Sequence, residues 1–229
     1  MLRVLGLGLF FVFANGFAHA MAGEAVLGGV SIKLPAPDGF CELSASNPSD
    51  NRVLTAVGGV VDQGGNKLLG MSADCQELAD WRVGKRNFLD DYAQYQTRTS
   101  LMDQLVPSAQ ATISQTCSGM RAAGQQVVSS ISSDVKSIIE NALKNIKVSS
   151  LSFAGVLAED QTACYAAEVE GLKTEAGTEK IQLILIGVTV VKSKVLFVYR
   201  FSVYDPSADA KAQLAKLQST VASLQAANK

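Results

Sequence analysis

The sequence predicts an α+β domain: an antiparallel sheet covered by an N-terminal and a C-terminal helix, with a long Ala/Ser/Gln-rich helical insertion. Three observations predict it. The last third is a succession of strand-like apolar runs. Two apolar stripes at helical spacing follow proline-marked starts, one after Asn47-Pro48 and one after Asp205-Pro206-Ser207. Between them, from about Met102 to Ile146, the composition turns to Ala, Ser and Gln with almost no aromatics. Strands that must hide one face and helices that must hide one stripe combine as layers.

The elements follow in order. Gly28 to Leu34 alternates, with Val30, Ile32 and Leu34 against Ser31 and Lys33, as a strand with one buried face does. Pro35, Pro37 and Asp38-Gly39 end it, and Phe40-Cys41-Glu42-Leu43 starts a second short strand. Asn47-Pro48 opens a helix, with proline at the first helical position. Val53, Leu54, Val57, Val60 and Val61 form its stripe, and Gly64-Gly65 closes it. Asp62-Gln63-Gly64-Gly65-Asn66 reads as a turn and not as a calcium loop. Lys67 to Cys75 is a strand expected to place Leu69, Met71, Ala73 and Cys75 on one face. A short helix or turn carries Leu78 and Trp81, and a tyrosine-bearing stretch runs to about Arg98.

In the Ala/Ser/Gln-rich segment, Ile113, Cys117, Met120, Gly124, Val127, Ile131, Val135, Ile138 and Ala142 recur at steps of four and three. That is a narrow seam close to a heptad. Gly119, Gly124 and the serines at 129–133 weaken it, so one rod and a bent hairpin are both open. Because the seam is thin, residues 101–147 are expected to be an insertion and not part of the core. Strands then follow at Leu151 to Leu157, Cys164 to Val169, Ile181 to Val191 and Val195 to Tyr204, with Lys192-Ser193-Lys194 as the last tight turn. The nearly continuous apolar run Ile181 to Ile186 marks a strand covered on both faces. Leu214, Leu217, Val221 and Leu224 make the buried stripe of the final helix.

The start of the chain bears on its compartment. Arg3, an apolar run from Val4 to Ala14, the break at Asn15-Gly16 and the small-x-small sites ending at Ala20 and Ala22 have the order of a secretory signal. The run is too short to span a bilayer. Residues 1–22 are therefore expected to be removed near Ala20 or Ala22, leaving 23–229 as one exported domain, periplasmic or extracellular, with no stable membrane anchor. The chain's one histidine, His19, would leave with the signal. The mature protein would then have no imidazole base, no histidine metal ligand and none of the usual triads. Removing Arg3 from 20 Lys+Arg and 21 Asp+Glu leaves a net charge of −2 without any basic stretch, so no nucleic-acid partner is expected.

Four cysteines remain, Cys41, Cys75, Cys117 and Cys164. An even count without CxxC spacing in an exported chain points to disulfides over zinc or redox chemistry. Three pairings are open. Cys41–Cys75 is preferred because each ends a short strand-like run, and Cys117–Cys164 then follows by elimination. Loops of that size stabilise by about 3–4 kcal/mol each in the chain-entropy model.

The strand Val30 to Leu34 with Gly39-Phe40, and the run from Ile181 through Asp205-Pro206 to Leu224, resemble the PsbP-like fold of the extrinsic photosystem II proteins and their bacterial relatives. The resemblance covers roughly residues 28–98 and 150–226 and lies in the order of elements, while 101–147 departs from it. It implies a non-catalytic accessory or binding protein, and none of the family's metal sites carries over to a residue here.

Apparent catalytic motifs fail on inspection. Ser133-Asp134-Val135-Lys136 and Ser49-Asp50-Asn51 match the SxxK and SDN elements of serine β-lactamases, but in reversed order and without KTG. Ser133 is more simply a helix N-cap. The carboxylates Asp74, Glu77, Asp80, Asp90-Asp91 and Glu159-Asp160 read as surface groups or salt-bridge partners, with Arg82, Lys85 or Arg86 opposite Glu77 and Asp80. There is no GxGxxG, Walker loop or GxSxG. No catalytic residue, metal or cofactor is expected. Trp81, Tyr92 and Tyr95 form the one aromatic cluster by sequence and are the candidate ligand wall. The expected function is that of an exported binding or accessory protein of the bacterial cell envelope. It would recognise a protein partner or second copy through 101–147, or a ligand in a sheet-edge groove near Trp81. The competing class is an exported hydrolase with an acidic or Ser/Lys site.

Overall fold

The computed structural model describes residues 23–122, 146–174, 179–205, 207 and 210–229. The expected signal, the seam from Gly124 to Ala142 and the Ser133–Lys136 motif lie outside the described residues.

Gly28 and Gly29 both take positive φ, 51° and 79°. They turn β1 (Glu24–Leu27) back onto β2 (Val30–Lys33) as a separate two-stranded hairpin. A Cβ at Gly28 would lie 2.8 Å from Lys194 Nζ and 2.9 Å from the Cα of Asp103, so glycine is required there on steric grounds as well. The predicted strand is thus β2, and β1 upstream of it was not foreseen.

After β3 (Phe40–Glu42), α1 (Pro48–Gln63) starts as predicted. The Asn47 side chain accepts from the backbone N–H groups of Ser49 and Asp50 at 2.9 and 3.3 Å, and Pro48 removes one donor that would lack a partner. Then come β4 (Asn66–Asp74), α2 (Cys75–Arg82), capped by the Asp74 carboxylate, and β5 (Tyr92–Arg98). A 3-10 turn at Thr99–Leu101 leads to a helix, α3, described over 109–122. The meander β6 (Ile146–Glu159), β7 (Ala163–Thr174), β8 (Glu179–Val191) and β9 (Lys194–Val203) precedes α4 (Ala210–Ala227). Lys192 and Ser193 form the β8–β9 turn with φ of 47° and 63°.

The main sheet has seven strands in the order β3-β4-β5-β9-β8-β7-β6, antiparallel throughout. The expected α+β architecture is present. One face packs the β1–β2 hairpin and α4, through Leu27, Ile32, Leu185, Leu196, Leu217, Val221 and Leu224. The side chain of Asn228 exchanges two 2.8 Å hydrogen bonds with the backbone of Lys33 and so pins the end of α4 to β2. On the opposite face, α1 and α2 cover the β3–β4–β5 end through Leu43, Met71, Ala73 and Leu78. There α3 covers β7–β8 through Ile113 and Cys117, which pack with Ile184, Ile186 and Val188. β8 is therefore covered on both faces, as its apolar run requires.

Two expectations need correction. Residues 101–147 begin as core: Ile113 is 1% exposed and Cys117 is fully buried. A four-residue step between two buried side chains suffices to seat one face of a helix, and the thin seam concealed this. Leu69 also parts company with Met71 and Ala73. A register shift between Leu68 and Gly70 breaks the alternation of β4, and Leu69 packs on the α4 side while the other two pack under α1. At the outer edge, β6 carries three such shifts against β7, and Gly155 in one of them has φ 115°.

Both preferred disulfides are formed. Cys41–Cys75 joins β3 to the start of α2, and Cys117–Cys164 joins α3 to β7. They suit an oxidising compartment. No described helix is long and apolar enough to cross a membrane.

Gly58 and Gly59 sit inside α1 with open space where a Cβ would point. Glycine costs a helix interior about 1 kcal/mol relative to alanine. Gly59→Ala should therefore raise the thermal midpoint by about 2–4 °C, read by a circular-dichroism melt.

Candidate functional site

The helical spacing of α1 sends Val53, Ala56 and Val57 toward the sheet, with Arg52 at the rim. Beyond α2 the chain crosses in an open loop, 83–91, and drops Phe88 and Leu89 beside Trp81. The sheet supplies a floor of Met71 from β4, Tyr92 from β5, Leu172 from β7, and Lys180 and Gln182 from β8. These groups enclose a cavity of about 490 Å³, open to solvent at Phe88, which is 45% exposed. Its wall is almost wholly apolar, and its volume is in the range of small-molecule sites.

Rigid elements hold the wall. Tyr92 stacks on Phe201 of β9, with ring centroids 4.4 Å apart and planes 10° from parallel. Its hydroxyl donates to Gln182 Oε1 at 3.4 Å, and burial raises it above the ordinary phenol value. Glu77 secures the loop, since one carboxylate oxygen accepts from the backbone N–H groups of Asp90 and Asp91 at 2.7 and 3.1 Å. Its other oxygen meets Arg86 at 2.9 Å. Asp90 bonds both Arg86 and Lys180, and Arg200 reaches Asp91 at 3.3 Å. The loop is thereby tied to β8 and β9.

Of the three aromatic candidates, the structure brings two together. Trp81 and Tyr92 share the cavity wall. Tyr95 lies on the opposite face of the sheet, in the α4 core, with its hydroxyl donating to the carbonyl of Pro35. Positions 92 and 95 are three apart on a strand, so the period of two separates them. The indole N–H of Trp81 is buried without a hydrogen-bond partner among the described residues.

The carboxylates singled out by sequence have structural work. Asp74 caps α2, and Lys85 approaches Asp80 at 4.0 Å. Glu159 meets Ser114 and Arg121, while Asp160 accepts from Thr162 and Ala163. Arg86 takes the expected place opposite Glu77. Arg82 does not, because it turns to Asp50 of the Ser49-Asp50-Asn51 motif, which is wholly buried.

Two carboxylates that the sequence reading passed over behave differently. Glu168 and Glu170 follow Cys164 and Ala166 on the same face of β7, and Glu170 is directly across from Gln182 on the cavity floor. Glu170 is only 6% exposed. Burial, and then the charge of Glu168, push its carboxyl up to about 7, and burial pushes Glu168 up as well. Neither has a cation or hydrogen-bond donor among the described residues. The alternation Glu168-Val169-Glu170, placing two acids on one face of a strand between two others, was the available signal.

The arrangement offers an apolar enclosure with polar groups at its floor. It brings together no nucleophile with a base, and among the described residues no three His, Cys, Asp or Glu side chains could hold a metal.

No protein-family model and no curated protein matches the chain. Among solved structures it is similar to the Ran-binding protein Mog1p of Saccharomyces cerevisiae, at 8% identity and a TM-score of 0.30, over 90% of this chain and 92% of that one. A likeness at that level carries no weight on fold or function.

Proposed function

We propose that the protein is an exported, non-catalytic binding protein of the bacterial cell envelope, and that the cavity beside Trp81 holds a small apolar ligand. One observation carries the reading: an open space of about 490 Å³ with an almost entirely apolar wall, built from α1, the sheet and a loop fastened by ion pairs. An apolar surface left open at such cost in water contact marks a site of recognition. The secretory pattern of residues 1–22 and the two disulfides support export. The order hairpin, helix, meander and C-terminal helix supports a PsbP-like relationship as part of the same reading.

The cavity is favoured over residues 101–147 as the recognition surface. The described half of that segment commits Ile113 and Cys117 to its own core. It is favoured over a hydrolase site because the acids nominated for one are occupied in caps and ion pairs.

Trp81 is the single tryptophan of the chain, so its emission reports on the cavity directly. Titration with 1-anilinonaphthalene-8-sulfonate should quench that emission saturably at micromolar concentrations. Ala56→Phe, which fills the space from α1, should abolish the quenching while leaving the thermal midpoint near that of the wild type. Quenching that is absent, or unchanged in the filled variant, would remove the cavity as the site.

A further inference from the structure

We infer that the ligand of this cavity is an amphipathic amine: a compact apolar body, aromatic or aliphatic, ending in a protonated nitrogen. The inference rests on the binding reading above and adds the ligand's charge.

Charge pairing around the site is uneven. Lys180, the cation on the floor, is bonded to Asp90, which Arg86 also holds. Asp91 has Arg200. Each acid of the loop is thus matched by a cation. Glu168 and Glu170 are the exception. They lie two residues apart on one face of β7, opposite Ile184 and Gln182, and the charge of Glu168 adds to burial in raising Glu170. A buried acid beside a half-buried one, unpaired among the described residues, is unfavourable, since neither regains in contacts what it lost in hydration.

Their position gives that disfavoured arrangement a use. Gln182 and Leu172 line the cavity, and Glu170 is on the same sheet face, across from Gln182 and two residues before Leu172. Neither acid is itself part of the cavity wall, but an apolar ligand resting on Leu172 and Gln182 would have its inner end next to Glu170, their neighbour on β7. A protonated amine there would gain a charge-assisted hydrogen bond in a poorly hydrated setting, and aromatic faces nearby favour a cation further. An anionic end would meet the opposite field. Arg52, the one cation of the wall without an acid partner among the described residues, is at the exposed outer rim and contacts Ser49 Oγ at 3.4 Å. A space of about 490 Å³ suits one or two rings or a short chain, so the occupant is a free small molecule and not a folded partner.

The test uses two probes of similar body and opposite charge, dansylcadaverine and 1-anilinonaphthalene-8-sulfonate, with the full mature chain near pH 8. The amine should quench Trp81 saturably, with a blue shift of dansyl emission, and bind at least ten-fold more tightly than the sulfonate. Glu170→Gln should weaken the amine ten-fold or more and leave the sulfonate unchanged or tighter. Should that variant fold poorly, Glu168→Gln gives the same selective loss with smaller size. Sulfonate binding without preference for the amine, or amine binding indifferent to both substitutions, would overturn the inference while the cavity stands. If neither probe touches Trp81, both readings fall together.

Discussion

Arg82→Met should lower the stability of the folded protein by about 3 kcal/mol at neutral pH, because it leaves a carboxylate buried without its counter-charge. Asp50, in the first turn of α1, is fully buried. One of its oxygens accepts from Arg82 at 2.6 Å and from the Ser44 backbone N–H at 3.0 Å, and the other accepts from Arg82 Nε at 3.0 Å. Burial alone would raise this carboxyl, but the hydrogen bonds from Arg82 and Ser44 and the guanidinium charge outweigh it, and the net shift is downward. A carboxyl held below its unfolded value contributes stability above that unfolded value and loses it as pH falls through the folded one. The gap between wild type and Arg82→Met in urea unfolding should therefore be wide at pH 7 and close as pH falls below the ordinary aspartate value, through the lowered one of Asp50. Adding Asp50→Asn to the variant should recover part of the loss, since the amide oxygen can still accept from Ser44. Equal stability of wild type and Arg82→Met at pH 7 would show that the pair contributes nothing.

Glu170→Gln should act with the opposite sign and raise stability near pH 8. The Glu170 carboxyl is pushed from an ordinary 4.5 up to about 7, a difference worth up to about 3 kcal/mol between its two forms. A carboxyl raised in this way favours the folded state most below its unfolded value. That contribution disappears as pH climbs through about 7. The groups facing it are Glu168 on its own strand, Gln182 and Lys180 on β8, and Tyr92 on β5. Of the cations among them, Lys180 is engaged by Asp90. Thermal melts from pH 5 to pH 8 should show the wild type losing stability as pH rises and the variant losing much less. Glu168 and Asp91, raised by burial too, would leave a residual slope. A variant no more stable than wild type at pH 8 would mean that the Glu170 carboxylate is better solvated than its burial implies.

The contrast between these two acids shows what the sequence could and could not disclose. Where one residue's chemistry dictates its surroundings, the local sequence discloses the structure. Asn47-Pro48 starts a helix through its own side chain and missing N–H, and Lys192-Ser193 must turn because the flanking apolar runs must pair. Cysteines that each end a strand-like run were joined correctly. Features that depend on another element are not recorded locally. The bulge that moves Leu69 to the other face exists because β4 must match β5, which the local pattern does not record. Ile113 and Cys117 became core because β7 and β8 offered them an uncovered face. Half of the candidate site was legible, since Trp81 and Tyr92 do meet, but the period of two should have removed Tyr95. Glu168 and Glu170 drew no attention because an acid in a strand ordinarily faces water. Only the sheet order shows that these two do not.

The irregular outer margin of β6 carries a consequence of its own. A flat border strand of 14 residues would expose a regular ladder of backbone donors and acceptors, which is the template on which cross-β stacking grows. Three breaks in register, one of them at a glycine in a conformation that side chains rarely adopt, interrupt that ladder every few residues. A second molecule arriving alongside could match no more than a short stretch before falling out of step. Among the described residues, the longest strand at a sheet edge is thereby guarded against fibril growth by backbone geometry.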